Sequence, residues 1–154
     1  MTKFYENTEG RLFVDPIVAN HTDLAEINVQ QFSTRLAEHN KPTTEQLLAH
    51  LTAERKAQEF QGVTINGIRY AGDPSNRQAI SEAMQFMADS EATEFPIWKD
   101  SDDVFHVDHP LIDVVNAYRA IGSRRAQLIA AEGEYAAQVV DGSLTEVTGL
   151  TWPQ

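Results

Sequence analysis

Apolar residues in this chain recur with two periods, and the switch between them marks out its elements. Around the stretch "GVTINGIRYAG" the period is two: Val63 and Ile65 alternate with Thr64, and Ile68 and Tyr70 alternate with Arg69. Asn66-Gly67 lies between the two runs. Both residues tolerate the positive φ of a two-residue type I′ turn, so the stretch predicts a hairpin that sets Ile65 against Ile68. On either side the period lengthens to that of a helix. Upstream, Thr43-Thr44-Glu45-Gln46 reads as a capping box. Leu47, Leu48, Leu51 and Phe60 then share one side, while Glu54, Arg55, Lys56 and Glu59 lie elsewhere. Gln61-Gly62 supplies the stop, because glycine takes the left-handed conformation cheaply. Downstream, Asp73-Pro74 places a cap before a proline at the first helical position. Ile80, Ala83, Met84, Met87 and Ala88 form the stripe that follows.

The same alternation returns in "FPIWKDSDDVFHVD". Ile97 and Trp98 lead into a polar loop, Asp100 to Asp103, and Val104 to Val107 lead out, which predicts a second hairpin. From Pro110 a long helix is expected, with Asp108 as its cap and Asp113 suited to the positive end of its dipole. Leu111, Val114, Val115, Tyr118, Ile121, Leu128, Ile129, Tyr135, Ala136 and Val139 keep a three-and-four spacing over roughly eight turns. Gly122 and Gly133 are its weak points, and Asp141-Gly142 ends it. The tail "SLTEVTGLTWPQ" reads as strand-like or irregular.

At the amino terminus, Lys3 to Glu6 and Arg11 to Val14 predict a short hairpin joined through Asn7 to Gly10, with a break at Asp15-Pro16. Leu24, Ile27, Phe32 and Leu36 in "LAEINVQQFSTRLAEHN" predict one helix ending at Asn40. The resulting fold class is α+β: a small antiparallel sheet built from hairpins, packed by two or three helices including one long C-terminal helix. Three segments follow: a leader over 1–42, a helix-hairpin-helix-hairpin-helix domain over 43–142, and a tail over 143–154.

Composition narrows the function classes. The chain has 154 residues, 42% hydrophobic and 23% charged, a globular balance with enough length for a real core. The net charge of −11 argues against a nucleic-acid binder, whose affinity comes from Lys and Arg. With no cysteine, disulfides and thiolate metal sites are excluded. The amino terminus has no signal-peptide core and nothing approaches a membrane span, so a soluble protein kept inside a cell is expected.

Candidate chemistry is sparse. His106, Asp108 and His109 are the best metal candidates and would suit a small metal-dependent hydrolase. On a regular strand, however, the two histidines point to opposite faces and further ligands are unspecified. "DSDD" lacks the spacing, the glycine and the distant Glu of a calcium loop, and Asp and Ser are ordinary turn formers. Glu91 with Glu94 and Glu132 with Glu134 read as solvated faces. Neither a nucleophile elbow nor a phosphate-binding glycine pattern occurs. Met84, Phe86 and Met87 read as core. No catalytic, cofactor or metal residue is assigned. Trp152-Pro153 is different: a large aromatic in a polar tail is an anchor for a pocket on this chain or another.

In order, the charged helix, the glycine-bounded "VTING" hairpin, the Asp-led helix, the Trp-Lys hairpin and the long helix resemble the DUF4376 family, over about Leu51 to Val140. Glu54, Arg55, Gly62, Asn66, Gly67, Asp73, Arg77, Trp98 and Lys99 fit its pattern. "AGDPSNRQ" and Asp102-Asp103 depart from it without disturbing the fold. The resemblance implies an origin in tailed bacteriophages, beside or within tail-fibre and tail-fibre-assembly proteins, and brings no catalytic residue. The expectation is a non-enzymatic protein that binds a tail-fibre or baseplate polypeptide, as a virion component or an assembly chaperone. It would reside in the virion tail or in the host cytoplasm during assembly, and a homo-oligomer within the tail is compatible with this. Phe4, Phe13, Tyr118, Tyr135 and Trp152 are the candidate partner-binding residues. The rival readings are the metal-dependent hydrolase and a phage-encoded binder of a host factor.

Overall fold

The computed structural model describes residues 2–15, 17, 22–88 and 90–154. The break expected at Pro16 lies outside the described residues. The chain divides into two compact units, Met1–Thr43 and Thr44–Gln154. Both are built from helices and small antiparallel sheets, so the fold class is α+β, with a long C-terminal helix. The predicted hairpins form, but among the described residues they build three separate sheets of two or three strands instead of one.

The first unit contains β1 (Phe4–Glu6), β2 (Leu12–Val14), β3 (Ala25–Ile27) and α1 (Val29–His39), with strand order β2-β1-β3. β3 corrects the expected single helix from Leu24 to Asn40. Asn28 and Gln31 form a reciprocal capping box, Gln31 N donating to Asn28 Oδ1 at 2.8 Å and Asn28 N to Gln31 Oε1 at 2.9 Å, which starts the helix at Val29. Ile27 is thereby released to lie opposite Phe4 in the sheet.

The second unit runs α2 (Thr44–Gln61), β4 (Val63–Ile65), β5 (Ile68–Tyr70), α3 (Pro74–Ala88), β6 (Glu94–Lys99), β7 (Phe105–Pro110) and α4 (Leu111–Asp141). Asn66 and Gly67 have φ of 50° and 82°, the positive pair that a type I′ turn requires, and Ile65 pairs with Ile68 as expected. α4 is the spine. Among its buried positions, Val114, Ala117, Ile121, Arg124 and Leu128 follow a three-four spacing, and two cores divide along it. The first core gathers Tyr70, Ile80, Met87 and Phe95 around Val114, Ala117 and Ile121. The second gathers Leu47, Leu51, Val147 and Trp152 around Leu128 and Val139. The tail is therefore not a separate segment, since Val147 and Trp152 are part of that core. Nor does Asp108 cap α4: Pro110 holds the N-cap position without a side-chain bond. Asp113 is in the first turn as expected, and both its oxygens accept from Asn66 Nδ2 at 3.0 Å.

Between α2 and β5 the backbones approach so closely that two glycines are obligatory. A Cβ on Gly62, whose φ is +71°, would lie 1.9 Å from the Tyr70 carbonyl oxygen; one on Gly72 would lie 2.0 Å from that of Glu59. Arg124 closes the junction from α4. Its Nη1 donates to the carbonyls of Gln58 at 2.7 Å and Gly62 at 3.0 Å, which satisfies carbonyls at the end of α2.

Beside this junction is a buried carboxylate that periodicity places on the wrong side. Glu59 is buried and Phe60 is 48% exposed, the reverse of the expected arrangement. The reason is charge. Glu59 pairs with Arg55 one turn earlier, with Arg77 of α3 at 3.6 Å and with Arg125 of α4 at 3.4 Å. Arg55 Nε also lies 2.5 Å from Glu132 Oε2, without the alignment of a hydrogen bond, and Thr52 donates to Glu132 Oε1 at 2.7 Å. A carboxylate so surrounded is cheaper to bury than a lone one.

Gly72→Ala should destabilise the protein by roughly 3 kcal/mol, because backbone has to move. Gly133→Ala, whose new methyl meets nothing within 4 Å, should stabilise it by about 0.5–1 kcal/mol. Urea denaturation midpoints of the two variants, compared with the parent chain, check both signs.

Candidate functional site

The β6–β7 hairpin owes its shape to one aspartate. Asp100 Oδ1 accepts from the backbone N–H groups of Asp102 and Val104, each at 2.9 Å, and Asp100 Oδ2 lies 2.8 Å from His106 Nε2. These bonds, led by that from His106, hold the Asp100 carboxyl below its ordinary range. The "DSDD" loop is thus a turn, as its composition suggests, and it grips β5. Arg69 donates from Nε to Asp102 Oδ1 and from Nη2 to the Ser101 carbonyl, both at 2.8 Å, and Ala71 N donates to Ser101 Oγ at 2.7 Å.

Inside the hairpin, the alternation of side chains breaks once in each strand. Cross-strand pairing holds at Phe95 with His109 and at Ile97 with Val107, and is interrupted between them at Pro96 and Asp108. Pro96 has no N–H to donate and Asp108 has a φ of +51°. The break turns His106 and His109 onto one face, their ring centroids 5.9 Å apart, which corrects the expectation that they point apart. Phe95 and Trp98 join them, with Trp98 stacked on His109 at 5.6 Å. His109 is 2% exposed, and its Nε2 lies 2.6 Å from the Tyr70 hydroxyl. Burial, reinforced by Asp113 and Asp100, pushes Tyr70 up to about 12, while burial pushes His109 below its ordinary value against the opposing pull of Asp113. Both groups are therefore neutral at pH 7 and share one hydrogen bond. His109 Nε2 is thus bonded to Tyr70, and His106 Nε2 to Asp100. Among the described residues, no three His, Cys, Asp or Glu side chains cluster as a metal would need.

The opposite face of the hairpin is bare. Ile97 and Val107 are a cross-strand pair exposed to 64% and 73%, and Phe105, paired with Lys99, is 67% exposed. Sequence reasoning missed this patch. The signal was there: "VFHV" is apolar at both parities, so a strand with one face packed must show the other.

The family model "Domain of unknown function (DUF4376)" matches residues 42–149, more than two thirds of the chain. The chain belongs to the DUF4376 family. The match extends beyond the Leu51 to Val140 range of the resemblance at both ends, and it takes in most of the second unit. No curated protein and no solved structure matches the chain. No helix among the described residues is long and apolar enough to cross a membrane.

In this DUF4376 protein the expected partner-binding aromatics divide between the two units. Phe4, half-buried, packs on Phe32 with ring centroids 4.6 Å apart, and Phe13 lies half-buried opposite Tyr5. Tyr118 is 40% exposed on α4. Tyr135 donates to the Thr151 carbonyl at 2.7 Å and meets Trp152 edge-on at 5.5 Å. Trp152 itself is buried in the second core, so its pocket is on its own chain, which corrects its assignment as a partner anchor.

Trp152→Ala should therefore cost about 3–5 kcal/mol of stability, measured by chemical denaturation. For His109 the depressed value means that the unfolded chain takes up a proton first. Stability should hold above about pH 6.5 and fall as pH drops below it. An NMR titration should show the His109 ring titrating below its ordinary range, and His109→Gln should flatten that part of the stability–pH curve.

Proposed function

We propose that this DUF4376 protein is a non-enzymatic binding component of a bacteriophage tail, which docks on a tail-fibre or baseplate polypeptide through the outer face of its β6–β7 hairpin. The carrying observation is that Ile97, Phe105 and Val107 are displayed together while the opposite face of the same hairpin packs Trp98 and His109 against Tyr70. An apolar patch on a rigid backing loses little conformational freedom when covered, which is what a binding surface needs. Its phage setting rests on the resemblance of the ordered hairpin and helix series to tail-associated chains. The reading accommodates a permanent virion component or an assembly chaperone, and the two differ in whether the chain stays in the particle.

Phe105→Asp combined with Val107→Asp should leave folding stability within about 1 kcal/mol, since both side chains are exposed. Recovery of co-expressed tail-fibre polypeptide on the tagged chain should fall at least about tenfold. Retention of the fibre by the double variant, or failure of the parent chain to hold any tail protein, overturns the reading. Mass spectrometry of finished particles then finds the chain in stoichiometric amount for a virion component and absent for a chaperone.

A further inference from the structure

An open groove of about 530 Å³ runs between α3 and α4, lined by Arg77, Gln78 and Ser81 from one helix and Tyr118, Gly122 and Arg125 from the other. We propose that it is a carboxylate-binding site that takes an acidic side chain of a partner polypeptide, a docking point chemically distinct from the apolar hairpin face.

Charge carries the argument. Around Glu59, four guanidiniums (Arg55, Arg77, Arg124 and Arg125) stand against two carboxylates, Glu59 and Glu132. A chain whose net charge is −11 thus concentrates positive charge at one place. Arg124 is taken up by the end of α2, and Arg55 is committed to Glu59 and Glu132. Arg77 gives its Nη1 to the Gly72 carbonyl, but it and Arg125 meet Glu59 only at long range. They approach Glu59 at 3.6 and 3.4 Å, Arg125 by its Nε, and their side chains are 25% and 47% exposed. Each guanidinium carries five N–H donors in a flat fork, so a long contact on one side leaves donors for a second carboxylate on the other.

Shape decides the occupant. The groove is open along two helices and does not enclose a ligand as a small-molecule pocket does. Gly122 keeps its floor clear, since a Cβ there would meet nothing within 4 Å. The Tyr118 ring and hydroxyl and the Ser81 hydroxyl supply the neutral contacts that an extended acidic segment meets around its carboxylate. An opposing charge at the rim, the exposed Glu82, accepts a 2.6 Å bond from Gln78 Nε2.

The test titrates the full chain with a capped hexaglutamate peptide, its hexaglutamine counterpart and inorganic phosphate in separate arms. Isothermal calorimetry and the Nε–Hε NMR signals of Arg77 and Arg125 provide the readout. Hexaglutamate should bind and move both signals, with hexaglutamine at least about tenfold weaker. Arg125→Gln should weaken hexaglutamate about tenfold. Gly122→Leu, which fills the groove without removing charge, should do the same while raising helix propensity. Phe105→Asp should leave this binding unchanged, so failure here and failure of the hairpin reading are distinguishable. The proposal is overturned if hexaglutamate leaves both signals in place, if Gly122→Leu binds as the parent does, or if phosphate binds as tightly as the peptide.

Discussion

The second unit depends on a contact between two backbones with no side chain between them. Gly62 and Gly72 let the end of α2 and the end of β5 meet at a distance that any Cβ would forbid. Carbonyl groups crowded together at such a junction need donors, and Arg124 reaches across from α4 to supply them. That bond fixes the height of α4 against α2. Ile121 and Leu128, one turn to either side of Arg124, then fall into the first and second cores.

The charged cluster around Glu59 follows from the same geometry. Once α4 is set by Arg124, Arg125 is brought beside Glu59, and α3 leaves from Gly72 with Arg77 near enough to join. Arg77 Nη1 also donates to the Gly72 carbonyl at 2.5 Å, so the start of α3 and the cluster are held by one side chain. A buried ion cluster of this kind is weak as a source of net stability, because desolvation offsets most of the attraction. Its consequence is specificity of arrangement: three helices must come together in one register for Glu59 to be buried. It also leaves guanidinium groups partly exposed along the α3–α4 groove.

The hairpin β6–β7 shows how polar chemistry holds a surface in place. Asp100 shapes its loop, Arg69 and Ala71 clasp that loop to β5, and the interruption at Pro96 and Asp108 gathers both histidines on the packed face. The ionisable groups on that face bond within the structure: Tyr70 and His109 satisfy each other in the core. What faces outward is Ile97, Phe105 and Val107, and a binding role for the hairpin rests on that exposure.

Local signals in the sequence were sufficient for much of this. Asn66-Gly67 specifies its turn because few residue pairs accept two positive φ angles. Asp73-Pro74 specifies the start of α3 because Asp73 caps it; burial pushes its carboxyl up, but bonds from Ser75 and Asn76 outweigh this and hold it at about 2. The three-four stripe of α4 and its end at Gly142 were legible for the same reason, that they depend on neighbours within a few residues. Tertiary structure decided the rest. A period of 3.6 assigns Glu59 to solvent and Phe60 to the core, and arginines, two of them from other helices, reverse that. A period of two sets His106 and His109 apart, and a single left-handed residue between them brings them together. Trp152 has no local reason to be buried; its pocket exists because α2 and α4 meet. Periodicity reports which side of an element is apolar, whereas the environment of a charge or an isolated aromatic is set by residues distant in the chain.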